Sequence, residues 1–417
     1  MRKMKDSKIK WIGELPQDWE IDKIKYHFSI ISGNGFPVDI QGQEVGDFPV
    51  CKASDISKNN GDIIKHSANY ITKSQATAFN IIPKGSVVFA KIGEALKKNN
   101  RAIFGIDGCL DNNCQGLVPK DIKSKYALYL LSCIDMSWFD NAGTIPCVNN
   151  TKLNNCRIPF PPLAEQQKIA DFLDDKCSKI NSLYSGIEKQ IETLKEYKKS
   201  VIYEAVTNGL DKTVEMKDSQ TTWLGEIPNS WEISRINNVY TLRNTKVSDK
   251  DYEPLSVTMN GVLPQLETVA KSDAHDDRKL VKKGDFAINS RSDRRGSCGI
   301  ADRDGSVSLI NIILKPKKEM NPKYYNWLFH TSEFADEFYA NGHGIVDDLW
   351  TTGWQEMKKI LIPMPSLKEQ EEIASFLDKK CSQIDEIISL KEKELETLEG
   401  YKKSLIYEYV TGKKEVE

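Results

Sequence analysis

The sequence predicts an α+β chain built by pseudo-twofold internal duplication, in which two variable α+β domains alternate with two long helices that pair as an antiparallel coiled-coil spacer. Three observations carry this. Ile158–Gly209, beginning IPFPPLAEQQKIADFLDDKCSKI, matches Ile362–Lys413, beginning IPMPSLKEQEEIASFLDKKCSQI, without a gap, at 30 identities in 52 positions and a shift of 204. A shorter pair, WIGELPQDWEIDKI from Trp11 and WLGEIPNSWEISRI from Trp223, repeats at a shift of 212. Apolar residues in the longer repeat recur every seven positions. A period of this size is far beyond solenoid repeats and means two copies of a domain-sized unit.

Taken in order, residues 1–160 form a first variable domain, 161–210 a first helix, 211–364 a second domain and 365–417 a second helix. Within the domains, Lys25–Arg157 and Asn237–Leu361 share faint echoes only: KGSVVFA at Lys84 against KGDFAIN at Lys283, and KYALYLL at Lys125 against KYYNWLF at Lys323. One fold with two different surfaces is the natural reading.

Pro161 and Pro162 stand just ahead of the first helix, where proline is tolerated. Leu173, Ile180, Ile187, Leu194 and Val201 then recur every seven residues, with Cys177, Tyr184 and Ile191 on the intervening seam positions. The second copy gives Leu377, Ile384, Leu398 and Leu405 with Cys381, Ile388 and Leu395, and Lys391 interrupts its seam as a polar register residue would. Ile169 to Val206 is 38 residues, about 57 Å of helix. That outruns an ordinary core helix. Tyr197, Ile202, Tyr401 and Ile406 remain as apolar positions for helices of a partner.

At 417 residues the chain has room for several cores. Lys+Arg 58 against Asp+Glu 60 leaves a net charge of −2, so any nucleic-acid contact has to be local. The nine cysteines show no Cys-x-x-Cys pair and no histidine at ligand spacing, which indicates neither a disulfide framework nor a metal site. The opening MRKMKDSKIKWIGELP lacks the apolar core of a signal peptide, and no apolar run approaches a membrane span; a soluble cytoplasmic protein is expected.

The ordered blocks Trp11–Glu20, Ile158–Gln166, Trp223–Glu232 and Ile362–Gln370, each Gln followed by a heptad helix ending Tyr-Lys-Lys-Ser, resemble the specificity subunits of Type I restriction-modification systems across essentially the whole chain. The resemblance implies two target-recognition domains, each reading half of a split sequence in double-stranded DNA. It further implies helical spacers that bind two methyltransferase subunits and, through them, motor-nuclease subunits. S-adenosylmethionine, ATP and Mg would belong to those partners, with no cofactor in this subunit. Because the variable blocks differ by design, no base-contacting residue carries over from the family.

Contacts must therefore be argued physically. In the first block Lys91, Lys97, Lys98, Asn99, Asn100 and Arg101 follow the apolar SVVFA; at the matching place in the second stand Asn289, Arg291, Ser292, Arg294 and Arg295. Lys and Ser suit phosphates, Asn an adenine edge and Arg a guanine edge. The alternatives are a solvated polar loop in the first block and, in the second, surface ion pairs to Asp293. SGNGFP from Ser32 and RNTKVSD from Arg243 are either further groove-facing loops or turn chemistry.

Catalytic leads fail. Phe160 before Pro161-Pro162 and Leu163 after them do not make the adenine-methyltransferase signature, no Pro precedes Asp, and no phosphate-binding Gly-Lys-Ser/Thr loop exists. Gly33-Asn34-Gly35 lacks the rest of a dinucleotide fingerprint, and the five histidines have no nucleophile pattern beside them. A non-catalytic DNA-binding and assembly subunit is expected; a coiled-coil protein scaffold and a self-sufficient methyltransferase are the competing readings.

Overall fold

The computed structural model describes residues 2–141, 143–265, 277–317, 319–344 and 350–416. The chain divides into two compact units, Met1–Gly186 with Glu394–Glu417, and Ile187–Lys393. Each unit holds one variable domain, the first half of one long helix and the second half of the other.

The first unit is organised on β1 (Phe28–Ser32), β2 (Val87–Ala90), β3 (Arg101–Phe104) and β4 (Cys114–Pro119), in the order β1-β4-β2-β3, with Ile63–Ile64 beyond β3. The second uses β5 (Tyr240–Arg243), β6 (Phe286–Asn289), β7 (Cys298–Ile300) and β8 (Asn311–Pro316), in the order β5-β8-β6-β7. The faint echoes thus mark true equivalents: β2 and β6 are the matching strands, and helices Ser124–Ser132 and Pro322–Phe329 the matching helices. The repeated Lys-Gly ahead of each strand is a turn in which Gly85 and Gly284 take φ of +88° and +87°, a conformation open to glycine.

The unbroken apolar run SVVFA is a consequence of the pleat. Val87 and Phe89 point into the core shared with the helices, whereas Val88 points into a smaller core with Phe104 and Leu110. With both faces covered, strand alternation disappears from the sequence. In the second unit Phe286 and Ile288 face one core and Ala287 the other.

The long helices run Leu163–Asn208 and Leu367–Val410, 46 and 44 residues. The first thus includes the whole Ile169–Val206 heptad run and adds six residues before it and two after it. Its opening turn is set by Pro162, whose carbonyl accepts from the Glu165 and Gln166 amides. The second opens with a capping box: the Ser366 hydroxyl accepts from the Glu369 amide while the Glu369 carboxylate accepts from the Ser366 amide.

Leu173, Ile180, Ile187, Leu377, Ile384 and Leu405 are buried, and Leu194 and Leu398 half-buried. In the first unit Phe172 meets Tyr409 and Lys402 donates to Asn181; in the second Lys391 donates to Gln190 and Lys198 to Asp385. Partner numbers fall as helix numbers rise, so the segments are antiparallel in both. Lys391 has found Gln190 as a polar partner at 2.5 Å. Two positions expected to await a partner do not: Ile406 is buried in the first core and Ile202 packs against the second, because each sits where its helix meets a domain. Among the described residues no helix is long and apolar enough to cross a membrane.

Candidate nucleic-acid interface

Each domain is fixed to its helices by side chains from the repeated blocks. Trp19, fully buried, donates its indole N–H to Glu165 at 2.9 Å; Trp231 donates to Glu369 at 3.0 Å. Gln166 and Gln370 each donate to the proline carbonyl five residues back and accept a backbone amide from the domain, that of Lys123 or Asn321. Tyr126 and Tyr324 donate to the Val410 and Val206 carbonyls near the end of the other helix. The Trp, Glu and Gln side chains of the repeated blocks are thus joints between each domain and its helices.

The sheet register brings specific loops to one edge. Ser32 ends β1 opposite Gln115, Ala90 ends β2 opposite Cys114, and Arg101 opens β3 opposite Phe89. The β2–β3 connection, residues 91–100, and the exit of β1 therefore share that edge. In the second unit Arg243, Asn289 and Cys298 occupy the equivalent ends, and residues 290–297 form the equivalent connection.

A third segment joins each edge, and sequence reasoning missed it. Ile92 bridges Cys147, with Gly93 donating to the Pro146 carbonyl at 2.8 Å. Arg291 bridges Thr351, with Ser292 donating to the Trp350 carbonyl at 3.1 Å. TIPCVNN and DDLWTTGW have no residue pattern in common, so no signal pointed to them.

In the first block the structure separates presenting residues from bracing ones. Lys97 and Lys98 are exposed and Lys91 and Asn100 half-exposed, with Lys97 ion-paired to Glu94 and Asn100 bonded to Ser57. Asn99 and Arg101 do not fit the expected role of reaching DNA. Arg101 is only 2% exposed and donates to the Asn99 and Ile134 carbonyls and the Asn99 side chain. Burial pushes its guanidinium pKa down to about 10. Asn99, at φ +57°, also accepts from the Met136 amide. Together they pin the connection from beneath.

The second block shows the same division. Asn289 is 7% exposed, and its side chain caps the Arg291 amide at 3.0 Å, so it shapes the turn instead of presenting an amide to a base. Arg291, Arg294 and Arg295 are exposed and Ser292 half-exposed. Arg294 lies 3.6 Å from Asp293, and Arg295 pairs with Asp336 and stacks over Tyr339. Both remain more than half exposed, and ion pairs so exposed are weak enough to yield to phosphate. Of the outlying loops, Arg243 is held by Asp285, a carboxylate 3% exposed, and Gly33 presses against the Asp111 carbonyl, so both serve turn structure.

The model of the Type I restriction modification DNA specificity domain matches twice, over residues 16–193 and 228–399. The Type I restriction enzyme MjaVIII specificity subunit of Methanocaldococcus jannaschii is 26% identical over 431 residues, 96% of this chain and 93% of that one. The EcoKI specificity subunit of Escherichia coli is 20% identical over 410 residues, 90% of this chain and 84% of that one. Among solved structures, the HsdS subunit from Thermoanaerobacter tengcongensis aligns at TM-score 0.51 and 16% identity over 98% of this chain and 99% of that one. A chain from work on complex assembly and conformational transition of the type I R-M system aligns at TM-score 0.69 and 13% identity, covering 95% and 98%.

Proposed function

The chain belongs to the family of Type I restriction-modification DNA specificity subunits, and from that premise we propose that it reads a bipartite, asymmetric target in double-stranded DNA, one half-site per variable domain, and catalyses nothing itself. The observation that carries this is the duplicated loop edge: two domains present residues 91–100 and 290–297 from matching strand ends, with basic side chains that differ between them. Equal architecture with unequal loops is what two different half-sites require.

The helix pair acts as the spacer and as the dock for two methyltransferase subunits, through which motor-nuclease subunits join. Supporting this, four apolar residues it leaves exposed fall at equivalent repeat positions, Leu183 with Ile387 and Tyr197 with Tyr401, which gives each unit one such pair: Leu183 and Tyr401 in the first, Ile387 and Tyr197 in the second. Two copies of one patch suit two copies of one partner. S-adenosylmethionine, ATP and Mg serve those partners.

Half-sites of about three to five pairs each, centred about one helical turn of DNA apart, roughly 34 Å, leave a gap of about six base pairs. The test is to assemble the chain with its methyltransferase and map the methylated sequence. Inserting four helix-forming residues after Leu194 lengthens that helix by about 6 Å and turns the segment beyond the insertion by about 40°. Both half-sites should stay the same while the gap grows by about one or two pairs. Altered half-sites with an unchanged gap would contradict the spacer role, and methylation without any split target would contradict the whole reading.

A further inference from the structure

A groove of about 1390 Å³ lies within the first unit, between the β2–β3 connection and the helix segments. It exceeds the roughly 300–1,000 Å³ of small-molecule sites. Lys58 and Lys98 are exposed on one wall; Lys402 and Lys403 of the second long helix stand on the other. Asn100, Asn181, Ser182 and Ser185 supply neutral hydrogen-bonding groups between them.

Arg101 also lines this groove. Its guanidinium is almost fully buried, its partners are neutral, and its Nε has no partner among the described residues. A buried cation whose hydrogen-bond partners are all neutral is costly even with the Asp135 carboxylate nearby, and an anion in the groove above would relieve it. Three acidic residues, Asp62, Asp174 and Glu399, line the groove against seven basic ones, and the pairs Asp174 makes with Lys125 and Glu399 with Lys403 are solvent-accessible and therefore weak. Leu128 and Ile406, which border it, are already packed in the core, and the two tyrosines on its lining, Tyr129 and Tyr407, are tied down through their hydroxyls to Asp174 and the Ile12 carbonyl.

We propose that this groove seats the phosphodiester backbone of duplex DNA beside the half-site read by the first domain, with Lys402 and Lys403 gripping it from the second long helix. This rests on the DNA-reading function proposed above and adds to it: the helix is a DNA-contacting element as well as a spacer. Contacts of this kind hold any sequence and specify none.

The test uses the full chain assembled with its methyltransferase subunits, a duplex carrying the mapped target and a scrambled duplex. In the double variant Lys402→Gln, Lys403→Gln the slope of log Kobs against log salt should fall by up to about 1.8, about 0.9 per lost contact. Both duplexes should weaken alike, with the methylated sequence unchanged. Lys379→Gln, exposed on the same helix and outside the groove, should leave the slope at the wild-type value. If the double variant does not assemble, Lys58→Gln on the opposite wall gives the same readout without touching the helices. An unchanged slope in these groove variants, with the wild type still discriminating its target, overturns the groove. A wild type that cannot tell target from scrambled duplex overturns the DNA-reading function instead.

Discussion

The Trp19 indole donates to the Glu165 carboxylate at 2.9 Å, joining the first repeated block to the opening turn of the long helix that begins 144 residues after it, and Trp231 repeats this with Glu369. Glu165 also binds Arg2, which Asp18 holds from its other side. Gly412, just past the end of the second long helix, packs against the same Trp19 ring, and Gly209 packs against Trp231. The tryptophans are therefore where each domain, the start of one helix and the end of the other meet.

Removing the acceptor should be felt in stability. Glu165→Ala leaves a buried indole N–H unpaired and should cost about 1–3 kcal/mol, as should Glu369→Ala. Asp18→Ala, at an exposed carboxylate, should cost under about 1 kcal/mol. Denaturant unfolding of the full chain measures all three; equal, negligible losses would show that the motif is not a structural joint.

The same joint gives a pH dependence. Burial alone would raise the Glu369 carboxyl, but hydrogen bonds from Ser366 and Trp231 outweigh it and hold the group below its ordinary value of 4.5. A pKa lower in the folded state means that the stabilisation is complete above the unfolded value and lost as pH falls through the folded one. Stability should therefore decline below about pH 4.5 partly through this group, and Glu369→Gln should flatten that acid limb. An acid limb identical in variant and parent would show that Glu369 contributes nothing to it.

Bracing and presenting arginines should behave in opposite ways. Arg101→Met strands the Asn99 and Ile134 carbonyls and should destabilise the chain by about 1–3 kcal/mol. Arg291→Gln, at an exposed position, should leave the unfolding midpoint in place and lower the salt slope of DNA binding by about 0.9. A stability loss at Arg291 with no change in slope would make it a structural residue as well.

The architecture could be read from the sequence because duplication and seven-residue spacing act over dozens of positions, and the Trp-Glu and Glu-Gln motifs recur because both copies build one joint. The interface was half readable. Burial decides whether an Asn or Arg in a basic stretch presents itself or braces the backbone, and nothing in KKNNR distinguishes Lys98 from Arg101 until the strand β3 turns Arg101 inward. The Pro146–Val148 and Trp350–Thr352 segments join the edge through backbone bonds that leave no trace in residue type. Ile202 and Ile406 look like free seam positions only until the domain packs on them.

The proposed function stands or falls on whether the two variable domains read DNA independently. The decisive experiment replaces Asn237–Leu361 with the corresponding block of a related subunit and maps methylated sites across a genome with the partner methyltransferase present. One half of the target should change while the other half and the gap stay as they were; a change in both halves, or in neither, contradicts independent reading.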